Sequence, residues 1–542
     1  MREFSPVAVV LGLALSVIFG VSNAYLALKA GMTVSASIPA AVGSLAFFSA
    51  FYRKGTLLEG NIVQTVASAG ESLAAALAFT LPAFFVASLS FHPYHIGFVT
   101  FAGGVIGVLS GVAFRDTLVE DESLPFPEGK ACAVVLRSRE SGKGLSVLLG
   151  AVLGGGVKLL QSVGLLASSF SYALWGKVLA ADLSPAVVGA GAIVGLRTAL
   201  MVAAGGVIGW WVFMPFYDGS PMEVWSRYIR FIGAGAVLVG GIYEFLRVVL
   251  KLVGRFRKGK VWVVVAVAVV VGVVVGLLVP ELGVVGGALG GVLGVIFAYV
   301  SGNTTAIVGS SSNPVSGMTI AALVVVSLLF KAAGWGSLVS VLAMASLVAS
   351  AAAIAGDTVQ DLKTGHIVGA TPKWQYVGEF LGIAVSFAVI TAVVSLLGEV
   401  FGFGSESLPA PQGVLMGTIA KGIFSGTIDW NLIFIGGAVA VAVAMMGLPV
   451  LPVAVGLYLP IHLSGGLLLG AVISRIFRAE GEHVAPSGMI AGDALTAVLF
   501  AFGVGFFGWK FPEPVTGTWI ITVLLIVLGM GVIWRGPFGK RR

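Results

Sequence analysis

The stretch Val261–Val279 reads VWVVVAVAVVVGVVVGLLV and carries no charged residue anywhere along it. Such a run has no polar face to turn toward water, and as a helix it is long enough to cross about 30 Å of hydrocarbon. Ser5–Leu26, Ile96–Phe114, Phe231–Leu252 and Trp519–Trp534 are further long apolar runs, separated by short polar breaks. Lipid offers no partner to a bare peptide group, so each run must be a helix or a strand of a closed barrel. The runs lack the in-and-out alternation of barrel strands, which leaves helices. Of the 542 residues, 58% are hydrophobic and only 10% charged, whereas about a quarter are charged in soluble domains. A water-soluble globule is excluded. The expected fold class is all-α, a polytopic integral membrane protein of about 16 transmembrane helices with broken or re-entrant segments. Gly164–Ala181 and Gln412–Trp430 are too short or too interrupted to assign by hydropathy.

The formal charge of +7 reports orientation before it reports a partner, because lysine and arginine gather in cytoplasmic loops. Arg53-Lys54, Arg137–Lys143, the block from Arg247 to Lys260 and the tail Lys540-Arg541-Arg542 mark that side. With Arg2 also inside, both termini are expected in the cytoplasm of a multi-pass protein of the cell (plasma) membrane. Charges confined to short interhelical loops give no nucleic-acid surface. Ser5–Leu26 is too long for a signal-peptide core and reads as a retained first span. The single cysteine, Cys132, excludes an intramolecular disulfide and a cysteine-based metal cage. No His-Glu-x-x-His, phosphate-binding loop or Gly-x-Ser-x-Gly elbow is present, so no enzyme, cofactor or metal centre is expected.

Glu122–Gly129 (ESLPFPEG) and Glu406–Gly413 (ESLPAPQG) share six of eight residues, the mark of an internal duplication. Gly60-x-x-Val63-Gln64 with Gly356-x-x-Val359-Gln360, and Pro185-x-x-Val188-Gly189 with Pro452-x-x-Val455-Gly456, follow in the same order. The expected organisation is a first membrane repeat over 1–252, a basic cytoplasmic linker over 253–260 and a second repeat over 261–542. The first octapeptide lies in a basic segment and the second in one without lysine or arginine, which suits inverted halves; a miscount of one span would make them parallel. Duplicated membrane proteins commonly hold a solute near the bilayer midplane between the copies.

Three stretches are too polar for lipid-facing helix: Glu59–Ser72, Gly309–Thr319 and Asp357–Pro372. Irregular backbone at membrane depth is tolerated where it is buried or lines a cavity, so these are expected to be unwound walls of a pathway. In Ser310-Ser311-Ser312-Asn313-Pro314 the proline removes a donor and disfavours helix at Asn313, leaving Ser311, Ser312 and Asn313 free to bind a polar solute; an ordinary exposed turn is the alternative. Gln64 and Gln360 each offer a donor and an acceptor, as a peptide backbone requires, or else join helices. Tyr458 is a further contact candidate. Glu71 follows Gln64 by seven residues, so on a continuous helix both share a face, and Glu71 is the leading proton-coupling carboxylate. Asp361 and His366 are candidate relays, and Asp361 with Lys363 a candidate gate; a solvated loop is the alternative.

Several of these stretches resemble the oligopeptide transporter (OPT) family, including its yellow stripe-like branch. They are Asn61–Thr65 with Ala67–Ser72, Leu124–Gly129, Asn313–Thr319, Gln360–Gly365 running to Gly369–Pro372, Leu408–Gln412 and Val453–Pro460. The resemblance implies a polytopic secondary carrier for peptides, glutathione-like thiols or metal chelates, usually driven by protons. The expected function is therefore a proton-coupled symporter importing small oligopeptides or peptide-like metal chelates by alternating access. Its expected partners are that solute, protons with sodium as the alternative ion, the lipid bilayer, and a second copy if it forms a homodimer. A membrane-embedded aspartyl-type peptidase using Asp357 or Asp493, and a passive channel for small polar solutes, are the rivals.

Overall fold

The structure is a computed structural model and describes all residues except 1, 32, 34, 123, 125, 138–143, 175–176, 253–259, 311–312, 314, 336, 427–429, 480–483, 508, 510–516 and 536–542. Nearly all regular structure in it is helical. Among the described residues, seven helices are long and apolar enough to cross a membrane, and six shorter apolar helices accompany them. The apolar runs become Pro6–Ala30, Pro93–Ala113, Arg230–Leu252, Lys260–Leu278 and Trp519–Arg535.

The chain divides into two compact units, each assembled from separated segments. The first comprises residues 1–28, 35–144 and 242–427. At its centre lie two unusually long helices, Leu57–Val86 and Leu338–Val368, buried along most of their length and packed against each other. Around them pack Gly283–Val308, Pro93–Ala113, Pro372–Phe401 and Pro411–Ser425, with the shorter Ser37–Ala50 and Pro127–Arg137 helices. Small residues permit this closeness: a Cβ at Gly107 would stand 2.7 Å from the Ala351 carbonyl oxygen, as expected where helices associate through backbone approach in lipid.

Both central helices are continuous where the sequence predicted unwinding. Glu59–Ser72 contains no proline, and its start is fixed by a capping box. The Thr56 hydroxyl accepts from Glu59 N at 3.1 Å, and the Glu59 carboxylate accepts from Thr56 N at 2.9 Å. Asp357–Val368 continues the second helix until Gly369 ends it in the left-handed region at φ 83°, before Pro372 opens the next helix. In both stretches polar side chains, and not freed backbone, make the segment unusual. The third stretch does open on a break, at Gly309, φ 93°, between Gly283–Val308 and Val315–Ala333; a break the sequence reading did not expect lies at Gly195, φ 78°, inside Pro185–Val207.

The two octapeptides match in backbone at one described position. Phe126 and Ala410 occupy the same place in each, and both have φ 42°. Each precedes a helix that opens on proline, Pro127–Arg137 and Pro411–Ser425. Phe126 N donates to Ala306 O at 2.8 Å, and Ala410 N donates to Leu28 O at 2.7 Å. Both acceptors lie in the last turn of a long apolar helix.

The second unit comprises residues 29–34, 145–241 and 428–542. Its Pro185–Val207 helix packs against Val450–Tyr458, Ile461–Ile476 and Val484–Phe507. Gly164–Ala181, unassignable by hydropathy, holds the exception to the all-helical reading: an antiparallel hairpin of Ser169–Leu174 and Lys177–Asp182, registered Ser169 to Asp182 and Leu174 to Lys177. Phe170, Tyr172 and Leu174 alternate with smaller or polar residues, a period of two that fits a strand. Two ion pairs lie in this unit, the buried Lys29 Nζ to Asp182 Oδ2 at 3.3 Å and the partly buried Lys158 Nζ to Asp493 Oδ1 at 3.7 Å.

Candidate functional site: a buried carboxyl cluster in the first unit

The two central helices face each other with polar residues at helical spacing. On Leu57–Val86 these are Gln64, Ser68, Glu71 and Ser72; on Leu338–Val368 they are Asp357, Gln360, Asp361 and Thr364. Positions separated by three, four or seven residues share a helix face, so each helix presents one stripe. The stripes are joined by hydrogen bonds. Gln64 Nε2 donates to Asp361 Oδ1 at 2.5 Å, Ser68 Oγ donates to Asp357 Oδ2 at 3.5 Å, and Ser72 Oγ donates to the same oxygen. None of Gln64, Asp357, Gln360 and Asp361 is more than 3% exposed, so water cannot satisfy them.

Neighbouring segments complete the network. Glu71 accepts from Ala36 N at 3.1 Å and from the Asn23 side-chain amide. Ser37 Oγ lies 2.8 Å from Ser68 Oγ and donates to Asp361 Oδ1 at 3.3 Å. Gln360 Nε2 donates to Ser37 Oγ at 3.3 Å and to Ser310 Oγ at 3.0 Å, while Gln360 Oε1 accepts from Ser310 N at 3.0 Å. Glu128 Oε2 accepts from the same Ser310 N at 3.0 Å. Asn313 Nδ2 donates to Ser301 Oγ at 2.5 Å, and its Oδ1 has no hydrogen-bond partner. Glu379, on Pro372–Phe401, is fully buried with neither carboxyl oxygen hydrogen-bonded.

The sequence candidates separate on this geometry. Gln64, Gln360, Asp361, Glu71 and Asn313 converge in the first unit. Ser311 and Ser312 lie outside the described residues. His366 is exposed in the last turn of its helix. Lys363 does not pair with Asp361: Nζ donates to Val119 O at 2.6 Å and stands 5.2 Å from the Phe126 ring centroid. Side chains two apart on a helix point to different faces, so the ion-pair gate is not formed. Tyr458 belongs to the second unit, where its hydroxyl accepts from Arg230 Nε at 3.2 Å. Asp493, the other rival catalytic carboxylate, accepts from Ser184 Oγ at 2.6 Å and Ala186 N at 2.7 Å within that unit.

Asn23, Ser37 and Glu128 escaped the sequence reading as site residues because each reaches the cluster from another segment, and spacing along one helix cannot reveal a partner on another; Ser310 lay within the serine-rich stretch already singled out. Ser68 and Ser72 were legible, standing four and eight residues after Gln64 on one face. Glu71, Asp357, Asp361 and Glu379 form no ion pair with a lysine or arginine among the described residues. Among those residues no group of three or more His, Cys, Asp and Glu is placed to hold a metal ion. Buried charge without a counter-charge is expensive.

A polytopic helical membrane protein with amides, hydroxyls and uncompensated carboxyls buried between its longest helices has the organisation of a solute carrier. The model of the family described as "OPT oligopeptide transporter protein" matches residues 3–259 and 257–504, and the chain belongs to that family of membrane transporters. It is 30% identical to the "Putative oligopeptide transporter" of Haemophilus influenzae, over 88% of this chain and 92% of that protein. It is 23% identical to the rice "Probable metal-nicotianamine transporter YSL12", over 74% of this chain and 69% of that protein. These relatives are named as transporters, and the chain is a transporter and not an enzyme.

Proposed function

We propose that this chain is a proton-coupled symporter that imports small oligopeptides or peptide-like metal chelates across the cell membrane by alternating access. The observation that carries the reading is the set of four buried carboxyl groups interleaved with amides and hydroxyls and without a paired basic side chain among the described residues. Gln64, Gln360 and Asn313, with the neighbouring Ser311 and Ser312, bind the peptide groups of the solute. Each amide supplies a donor and an acceptor, matching an N–H and a C=O. Glu71 carries the coupling proton and Asp361 relays it; His366, exposed at the helix end, passes it to the aqueous phase.

The substrate assignment follows the names of the relatives, oligopeptide in one case and metal-nicotianamine in the other. The matching φ of Phe126 and Ala410 and their matching bonds to helix ends support two repeats, 1–252 and 261–542, joined through 253–260, within about 16 spans. The basic loops favour cytoplasmic termini.

In proteoliposomes, Glu71→Gln should abolish accumulation of labelled glutathione or of iron–nicotianamine driven by a pH gradient, while equilibrium exchange of the same solute persists. Accumulation by the variant at the wild-type rate would remove Glu71 from the coupling step.

A further inference from the structure

Glu379 is a full-length acidic side chain buried beside the cluster, yet nothing in the hydrogen-bond network uses it. It is 0% exposed, and both of its oxygens lack a hydrogen bond. Its position is set by the turn before it. Gln375, four residues earlier on the same face, donates from Nε2 to the Asp361 backbone carbonyl at 2.7 Å, which fixes this face of Pro372–Phe401 against Leu338–Val368. Asp361 Oδ2 is likewise buried and unpartnered. Thr358, one turn before Asp361, has an unpartnered hydroxyl near enough to interact with Glu379.

Among the described residues the surroundings supply no cation. The ionisable groups acting on Glu379 are Asp361 and Asp357, both acidic. The Leu57–Val86 helix meets the flanking glycines, Gly378 and Gly382, with Thr65, Val66 and Ala69, and its own Glu71 is held by Asn23 and Ala36. On the Pro93–Ala113 helix, His95 is bonded to Glu281. A carboxylate ion in dry surroundings with no counter-charge and at most one neighbouring hydroxyl is costly, whereas the acid form is not.

We propose that Glu379 is a second proton-carrying residue of this site, holding a proton in the conformation described here and exchanging it with the free oxygen of Asp361. In that step the O–H bond of Glu379 breaks as one forms at Asp361 Oδ2. The negative charge moves the opposite way, and the net charge of the cluster does not change. The assignment rests on the proton-coupled reading of the site, and it adds a store from which Asp361 is reloaded without opening the cluster to water.

The test is infrared difference spectroscopy on the full-length protein in lipid nanodiscs, with the proton and deuteron as probes. The wild type should show the C=O stretch of a protonated carboxyl at neutral pH, shifted in D2O, and Glu379→Gln should lose it. Thr358→Val should shift that band by removing the adjacent hydroxyl, so a Glu379→Gln protein that fails to fold leaves the assignment testable. Asp361→Asn should change the pH at which the band disappears. A band unchanged in both Glu379→Gln and Thr358→Val would overturn the assignment, and a titration unaffected by Asp361→Asn would overturn the exchange. Because the readout needs no solute, loss of the band in Glu379→Gln stands even if Glu71→Gln leaves transport intact, which would strike the wider reading alone.

Discussion

Gly356 shows how tightly single residues are constrained in this cluster. A Cβ there would lie 2.8 Å from Asn313 Nδ2 and from Thr305 Oγ1, and 2.9 Å from Ser301 Oγ. Gly356→Ala should therefore push Asn313 off Ser301 and cost about 1–3 kcal/mol through overpacking, read as a lower melting temperature together with weaker solute binding. Gln64→Leu is a different perturbation: it keeps the bulk and removes the donor to Asp361 Oδ1. Asp361 Oδ1 is then left with only the longer bond from Ser37, and the Asn61 amide loses its acceptor on Gln64, at a cost of about 1–3 kcal/mol. The melting temperature should therefore fall, and a variant as stable as the wild type would show that the bond from Gln64 to Asp361 is not formed. At this scale the sequence was a partial guide. Gln64, Glu71, Gln360 and Asp361 were identifiable because an amide or acid inside an apolar helix is anomalous in itself. Glu379 is an acid inside an apolar run as well, but its place beside Asp361 depends on a third helix that spacing does not locate.

Among the elements, the helix starts and connections carry separable contributions. The capping box at Thr56 and Glu59 satisfies donors at the head of a central helix. Thr56→Ala should cost about 1 kcal/mol in thermal unfolding without altering the carboxyl cluster. Between Lys260–Leu278 and Gly283–Val308, Glu281 accepts from His95 Nδ1 at 2.9 and 3.0 Å and from His92 N at 3.3 Å. Partial burial pushes the Glu281 carboxyl up, but the bonds from His95 and His92 outweigh it and hold the group below its ordinary value. A depressed acid stabilises the fold above its unfolded pKa of about 4.3 and loses that contribution as pH falls through the lower folded value. Glu281→Gln should thus lower the melting temperature slightly at neutral pH, by about 1 kcal/mol or less for so exposed a pair, and the difference should vanish in acid. The same scale explains two departures from expectation. Polar composition at Glu59–Ser72 and Asp357–Pro372 suggested unwound backbone, but helix–helix hydrogen bonding satisfies those side chains and leaves the backbone helical. The hairpin at Ser169–Asp182 carries a period of two that a hydropathy reading averages away.

For the whole molecule, apolar run length and the shortage of charge settle a helical membrane protein, since lipid permits little else. Motifs spread from Asn61 to Pro460 make the family legible as well. The division into two compact units built of interleaved segments was not legible, because units of this kind are defined by contacts between segments hundreds of residues apart. The repeated octapeptides give no hint of it, because both lie in the first unit; the common φ of Phe126 and Ala410 bears on the duplication instead. The central claim is that protons enter the buried carboxyl cluster as solute crosses the membrane. It is tested most directly by a pH-sensitive dye trapped inside proteoliposomes, with small peptides, glutathione and iron or nickel chelates offered outside. Internal acidification that accompanies uptake of one of these solutes, and that is absent from an Asp361→Asn, Glu71→Gln double variant, is the predicted result. Saturable solute uptake by the wild type with no movement of protons would contradict the account.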